Sequence, residues 1–120
     1  MIILDCEASG LHPDSYPIEI AWFDMESGKE DSFLIKPASF WTYWDPNAEE
    51  IHNIDQAKLL TEGLSVFVAT MRLRKSLAGK SVYSDATGYD QFWLEVLFDA
   101  CDEDILFSAK SVYDLVSQDQ

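Results

Sequence analysis

The sequence predicts an α/β or α+β protein, a layered sheet with helices packed on it, and three observations carry that reading. Residues 2–35 hold three apolar runs joined by short turns, the pattern of an antiparallel meander. Beyond residue 80 strand-like and helix-like segments alternate, which adds further strands through helical connections. The composition is 48% hydrophobic, with 7 Phe, 5 Tyr and 4 Trp, enough for a packed core and too apolar for a disordered chain. At 120 residues one domain, 1–120, is expected, because single cores typically serve roughly 100–150 residues.

Taken in order, residues 2–7 form an apolar run that ends at Gly10, and His12-Pro13-Asp14-Ser15 reads as a turn. Residues 17–25 form the second strand, Glu26-Ser27-Gly28-Lys29 has hairpin-turn chemistry, and residues 31–35 form the third. Residues 37–44 make an aromatic loop. Asp45 caps a short helix through residue 54, with Pro46 at its first position. Residues 64–77 carry a helix-compatible pattern, and Gly79 is its stop. Residues 81–83 are a brief buried strand leading into the small-residue turn of residues 84–88. Phe92, Trp93, Val96, Leu97 and Ala100 then repeat at helical spacing, which sets Asp90 in the first turn of that helix. Asp102-Glu103-Asp104 is an acidic turn, residues 105–107 are expected as a last strand, and residues 109–116 as a last helix. The chain shows no internal repeat and no low-complexity tract.

The 22 acidic and 8 basic residues give a formal charge of −14, which argues against broad, non-specific coating of a polyanion. A pocket that takes one strand end is still compatible with it, because bound cations there set the local charge. Cys6 and Cys101 have no paired spacing and no neighbouring His, so neither a disulfide framework nor a zinc site is suggested and a reduced, cytoplasmic location is expected. No stretch reaches the ~18 apolar residues of a membrane span. With the first strand starting at residue 2, no targeting segment is expected either.

The most informative residues are Asp5 and Glu7, one residue apart at the end of the first strand and directly before Ala8-Ser9-Gly10. Side chains at i and i+2 of a strand share a face, so the two carboxylates point the same way. Anions held that close repel, which is tolerable mainly when a cation or a shared proton sits between them. The placement reads as half of a divalent-metal site.

These residues also carry a resemblance. The run Asp5-Cys6-Glu7-Ala8-Ser9-Gly10-Leu11 resembles the first motif of the DEDD (DnaQ-like) 3′–5′ exonucleases, the superfamily that includes RNase T and oligoribonuclease. Pro17-Ile18-Glu19-Ile20-Ala21 is similar to the segment that follows it there. Glu50-Ile51-His52-Asn53-Ile54 is similar to the family's helix before its second half, and residues 77–90, ending Gly88-Tyr89-Asp90, resemble the second motif. The resemblance covers residues 1 to about 100, and order and separation make it more specific than any single motif. It implies a ribonuclease H-like mixed sheet, a three-strand antiparallel meander plus parallel strands, flanked by helices. It further implies a metal-dependent phosphodiesterase acting on a single-stranded 3′ end of RNA or DNA. In that reading Asp5 bridges two Mg²⁺ or Mn²⁺ ions, Glu7 holds one of them, and Asp90 completes the shell of the other. Hard oxygen ligands suit such ions, and a pair about 3.5–4 Å apart activates water and stabilises the leaving oxygen.

The chain also departs from that pattern. Asp85 stands where the family commonly has Asn, and Ser84 where a His is frequent. Asp85 reads first as a turn former and second as a further ligand. The family closes with a helix bearing a general-base His or Tyr and a fourth Asp. Here 30 residues follow Asp90 (120 − 90), they contain no His, and Tyr113, Asp114 and Asp119 do not match the spacing. Two readings follow: a domain lacking its C-terminal helix and last motif, or a member that binds nucleotide or nucleic acid without cutting. A third, from a different class, is a plain acidic interaction domain.

Substrate contacts are expected from the small residues Ala8, Ser9 and Gly10, from Leu11 as a wedge against a base, and from His12 in the adjoining turn. Trp44, with Trp41 and Tyr43, can stack bases or simply cover the sheet, and His52 packs or caps locally while also counting among the substrate-side residues. Arg72, Arg74 and Lys75 form a basic cluster, a solvated helix face able to meet phosphates. No membrane partner is expected, and pairing of two subunits, as in many relatives, is left open.

Overall fold

The computed structural model describes residues 1–114. Three strands form the expected meander: β1 (Ile2–Ala8), β2 (Pro17–Asp24) and β3 (Glu30–Leu34). In the β1–β2 pair Leu4 lies opposite Trp22 and Asp5 opposite Ala21. In β2–β3 Ile20 lies opposite Phe33. The turn between β2 and β3 places Gly28 at φ 76°, the left-handed region a side chain would oppose, and its N–H bonds the Asp24 carbonyl.

Three helices follow: α1 (Pro46–His52), α2 (Gln56–Glu62) and α3 (Val66–Leu77). Asp45 caps α1 by accepting the Asn47 N–H, with Pro46 first in the helix as the sequence suggests. The helix α2 was not foreseen. Its signal is the Asp55 cap, whose carboxylate accepts the Lys58 N–H, yet its seven residues bury only Leu59, so no apolar stripe announces it. Ser65 caps α3 in the same way through the Val68 N–H.

The second half comprises β4 (Val82–Ser84), α4 (Thr87–Ala100) and β5 (Ala109–Ser111). The sheet order is β3-β2-β1-β4-β5, with β1–β4 and β4–β5 parallel, a mixed five-stranded sheet of ribonuclease H-like form. The end of the chain corrects the sequence reading. Residues 105–107 are not a strand, and Ala109–Ser111, expected as helix, is one. Tertiary context decides it: Ala109 pairs beside Val82, and its N–H bonds the Gln91 side chain on α4. Residues 112–114 are helical as expected, and residues 115–116 of the expected helix lie outside the described residues.

Alternation sorts the sheet into two faces. Ile2, Leu4, Ile20, Phe33 and Val82 are buried with Leu73 and Leu77 of α3 and Leu94, Leu97 and Phe98 of α4. Helix α4 lies against β1, β2, β4 and β5. The opposite face, with Ile3, Asp5, Ala21, Phe23 and Ser32, opens onto a groove of about 640 Å³. A smaller cluster of Tyr16, Ile18, Ile54 and Leu59 packs with Trp41 and Trp44 and ties the aromatic loop to the sheet.

The basic cluster is not a free face. Arg72 grips Asp31 of β3, its Nε 2.6 Å from the carboxylate, and lies over the Phe33 ring, while Arg74 pairs with Glu103 at 2.7 Å. Both guanidinium groups are committed to holding α3 in place. Among the described residues no helix is long and apolar enough to cross a membrane.

Phe98 is fully buried and meets Phe107 edge-on at 6.0 Å. Phe98→Ala is therefore expected to lower unfolding free energy by about 3–5 kcal/mol, read by urea denaturation. A loss below about 1 kcal/mol would contradict this core.

Candidate metal centre

Pairing between β1 and β4 reaches Ile3↔Tyr83 and goes no further, so the carboxyl ends of these neighbouring parallel strands are left for the site. Ligands in open α/β sheets characteristically bind outside such strand ends. Asp5 and Glu7 leave β1 here, Asp85 follows β4 directly, and α4 brings Asp90 from its first turn.

Asp90 is buried, and two donors hold it. Its Oδ1 accepts the Cys6 N–H at 3.3 Å, and its Oδ2 accepts a short hydrogen bond from the Ser84 hydroxyl. Ser84 also accepts the Ala86 N–H at 2.9 Å. The α4 dipole favours the charged form of an acid in this turn.

The result is a convergence of charge. Ligand oxygens of Asp5, Asp85 and Asp90 all lie within 4.8 Å of one another, although 85 residues separate the first from the last (90 − 5). Glu7 stands outside this group of three but lines the same cavity, and its charge acts on its neighbours. That cavity, of about 320 Å³, is also bordered by Ala8, Gly10, Leu11, Ile51, His52, Tyr89 and Trp93. Its volume is in the range of small-ligand sites, about 300–1,000 Å³.

The electrostatics follow. Burial pushes the Asp90 carboxyl up to about 6, helped by the Asp5 and Asp85 charges and opposed by the bonds from Ser84 and Cys6. Burial, then the Asp85 charge, raises Asp5, against a bond from the Cys6 amide. Glu7 is raised by burial first and then by Asp5, Glu19 and Asp90. Burial, with the same acids nearby, raises the Cys6 thiol as well, which keeps it protonated and unreactive.

The donor set is all carboxylate oxygen, which suits a hard divalent cation. Oxygens sharing one octahedral Mg²⁺ at about 2.1 Å stand about 3.0 Å apart in cis and about 4.2 Å apart in trans, a spacing the three carboxylates reach by side-chain movements of up to about 2 Å. The residues fit such an ion.

Not every expected substrate residue reaches the cavity. Ser9 is fully buried, its hydroxyl accepts the Tyr16 N–H, and its own N–H and carbonyl are taken by Tyr16 and Asp45. His12 turns away, its Nδ1 accepting the Asp14 N–H while its ring stacks on Tyr43 at 4.6 Å. Trp44 donates to Glu49 and meets His52 edge-on, and Trp41 stacks on Tyr16, so these two rings are used for packing. Gly10 is required by space: a Cβ there would meet the Tyr43 ring at 2.9 Å. His52 ends α1 beside the cavity, its Nδ1 accepting the Ile54 N–H, and burial lowers its pKa against the pull of Glu49. Ile51 was missed. It is 86% exposed on the cavity rim, and an apolar residue between Glu50 and His52 was the available signal.

No protein-family model and no curated protein sequence matches the chain. Solved structures do. Exonuclease I with bound product aligns over 96% of this chain at TM-score 0.80 and 18% identity. The zinc-bound E. coli exonuclease I–ssDNA complex aligns over 98% at TM-score 0.80 and 18% identity, and the E. coli enzyme with a dT13 oligonucleotide over 98% at 0.78 and 19%. The fold is that of the aligned part of exonuclease I. The chain spans under a third of those proteins, 28–30% of their length.

A raised carboxyl makes the folded state the better proton binder between about pH 4 and 6, so stability falls as pH rises through that window. Without divalent metal, Asp90→Asn is expected to melt higher than the parent at pH 7, with the difference shrinking towards pH 4. A gap independent of pH, followed by circular dichroism, would contradict the assignment.

Proposed function

We propose that this chain is a metal-dependent 3′–5′ exonuclease domain that hydrolyses the terminal phosphodiester of single-stranded RNA or DNA. One observation carries the reading: acids from two distant elements, Asp5 of β1 and Asp90 of α4, converge at the strand ends of a fold shared with exonuclease I. The complexes of that enzyme with single-stranded DNA and with zinc support the class of partner and the binding of a cation.

In this reading Asp5, Glu7 and Asp90 hold the ions, two Mg²⁺ or Mn²⁺, which supply Lewis-acid activation of water and of the leaving oxygen. Ser84 and the Cys6 amide fix the Asp90 carboxylate so that it meets an ion without rearranging. Ala8 and Gly10 leave room at the cavity wall for a terminal nucleotide, and Leu11, 72% exposed on the rim, offers an apolar surface to its base. His52 closes the far wall. Ser9, His12 and Trp44 act behind this surface, holding the turn and loop that shape it.

A second reading is favoured by the histidines. The sequence has two, and the one beside the cavity, His52, uses its unprotonated nitrogen on the Ile54 amide. A general base must reach the attacking water, and neither His12 nor His52 offers a free nitrogen lone pair there. A module that binds a nucleotide without cutting it is consistent with that.

Mn²⁺ is expected to raise the melting temperature, since a ligand bound only by the folded state at about 100 times its Kd stabilises by about 2.7 kcal/mol. Hydrolysis of a 3′-labelled single-stranded oligonucleotide, lost in Asp5→Ala, is the result that establishes catalysis. Stabilisation by Mn²⁺ with no hydrolysis would select the binding module, and no response to Mn²⁺ would remove both.

A further inference from the structure

A second cavity lies beside the metal centre and has no part in the site described so far. Strands β1 and β3 run the same way, each antiparallel to β2, so the turn after β1 and the aromatic loop after β3 leave the sheet at the edge where Asp5 and Glu7 end β1. Between that turn and that loop is a space of about 480 Å³, bordered by Ser15, Phe40, Trp41, Tyr43 and Val96. One helix flanks both cavities. Trp93 of α4 borders the metal cavity, and Val96, about 4.5 Å further along the axis on the same side of the helix, borders this one.

Three properties of the second cavity define what it can hold. Phe40 is 67% exposed and is braced edge-on by Trp41 at 6.2 Å, so an aromatic face is open to solvent and held at a fixed angle. Ser15 is 2% exposed, yet its hydroxyl oxygen has no hydrogen-bond partner, a deficit that buried polar groups in native proteins rarely carry. The charged residue on the lining is Asp14, an acid, and no Lys or Arg is there to meet a phosphate. A flat, uncharged, aromatic ligand with polar edges satisfies all three, its face on Phe40 and its edge on Ser15.

We propose that this cavity takes the base of a nucleotide on the 5′ side of the terminal one, so that the chain acts on a strand of several nucleotides and not on a free nucleotide. The inference rests on the reading of the metal centre as the place of a strand's 3′ end, and it adds the substrate class. The strand's end lies in the metal cavity, a base further back stacks on Phe40, and the phosphates between them stay on the solvent side, away from Asp14.

The test is titration calorimetry in Mn²⁺ with thymidine monophosphate and with a thymidine hexanucleotide whose 3′-terminal linkage is a phosphorothioate, slow to hydrolyse. Phe40→Ala removes an exposed ring and leaves the core intact. It is expected to weaken the hexanucleotide about tenfold, the order of one base stacked on an aromatic ring, and to leave the mononucleotide unchanged. Ser15→Ala is expected to weaken the hexanucleotide about fivefold, the size of one hydrogen bond. Phe40→Trp, which keeps an aromatic face, is expected to retain the parent's affinity. A hexanucleotide bound equally by parent and Phe40→Ala overturns the assignment and leaves the nuclease reading standing, as does an equal loss for both ligands. A parent chain that binds neither ligand overturns both.

Discussion

Like charge held together is the constraint around which this molecule is organised. Two unit charges about 5 Å apart repel by about 3 kcal/mol at the effective dielectric near 20 that suits protein surfaces. Asp5, Asp85 and Asp90 bring their carboxylates together, and solvent at the exposed Asp5 and Asp85 screens much of that repulsion. Asp5 is fixed by β1, paired on both sides; Asp85 by the end of β4, which runs beside it; Asp90 by a helix whose apolar face is buried on the same strands. Strain of this kind persists only where the surroundings over-determine it, and it clusters where proteins act.

The core is what holds the acids in place. Leu4 and Cys6 face the helices while Asp5 and Glu7 alternate away from them, so the strand that anchors the core also displays these two carboxylates. The buried polar bonds at the junction are few and specific. Asp90 reaches back over the end of the β1–β4 ladder to take the Cys6 amide, and Ser84 closes the turn and binds Asp90 with one hydroxyl. Fold and site therefore share residues, and neither can be changed at β4 without the other.

The sequence was legible where local chemistry and tertiary context agree. The meander, the Asp45-Pro46 helix start, the first-turn position of Asp90 and the shared direction of Asp5 and Glu7 all follow from periodicity, capping and spacing. It misled where context overrode local preference. Ala109–Ser111 became a strand because β4 offered a partner, and Gln91 of α4 secured its end. Helix α2 hid because one buried Leu59 makes no stripe. The arginines read as a solvated face, but their carboxylate partners, Asp31 and Glu103, lie 41 and 29 residues away, where no local window finds them. Trp41 and Trp44 illustrate the same limit: composition cannot tell a ring that stacks on substrate from one that stacks on Tyr16 or meets His52.

The buried carboxyl on α4 couples the site to its medium. With a midpoint near 6, Asp90 carries a partial proton in mildly acidic solution, and any dication that enters must expel it. Under the proposed metal-binding reading, uptake of an ion would acidify an unbuffered sample, and the heat of binding would vary with the ionisation enthalpy of the buffer chosen. Mild acid would then weaken an ion's hold without a single residue being altered.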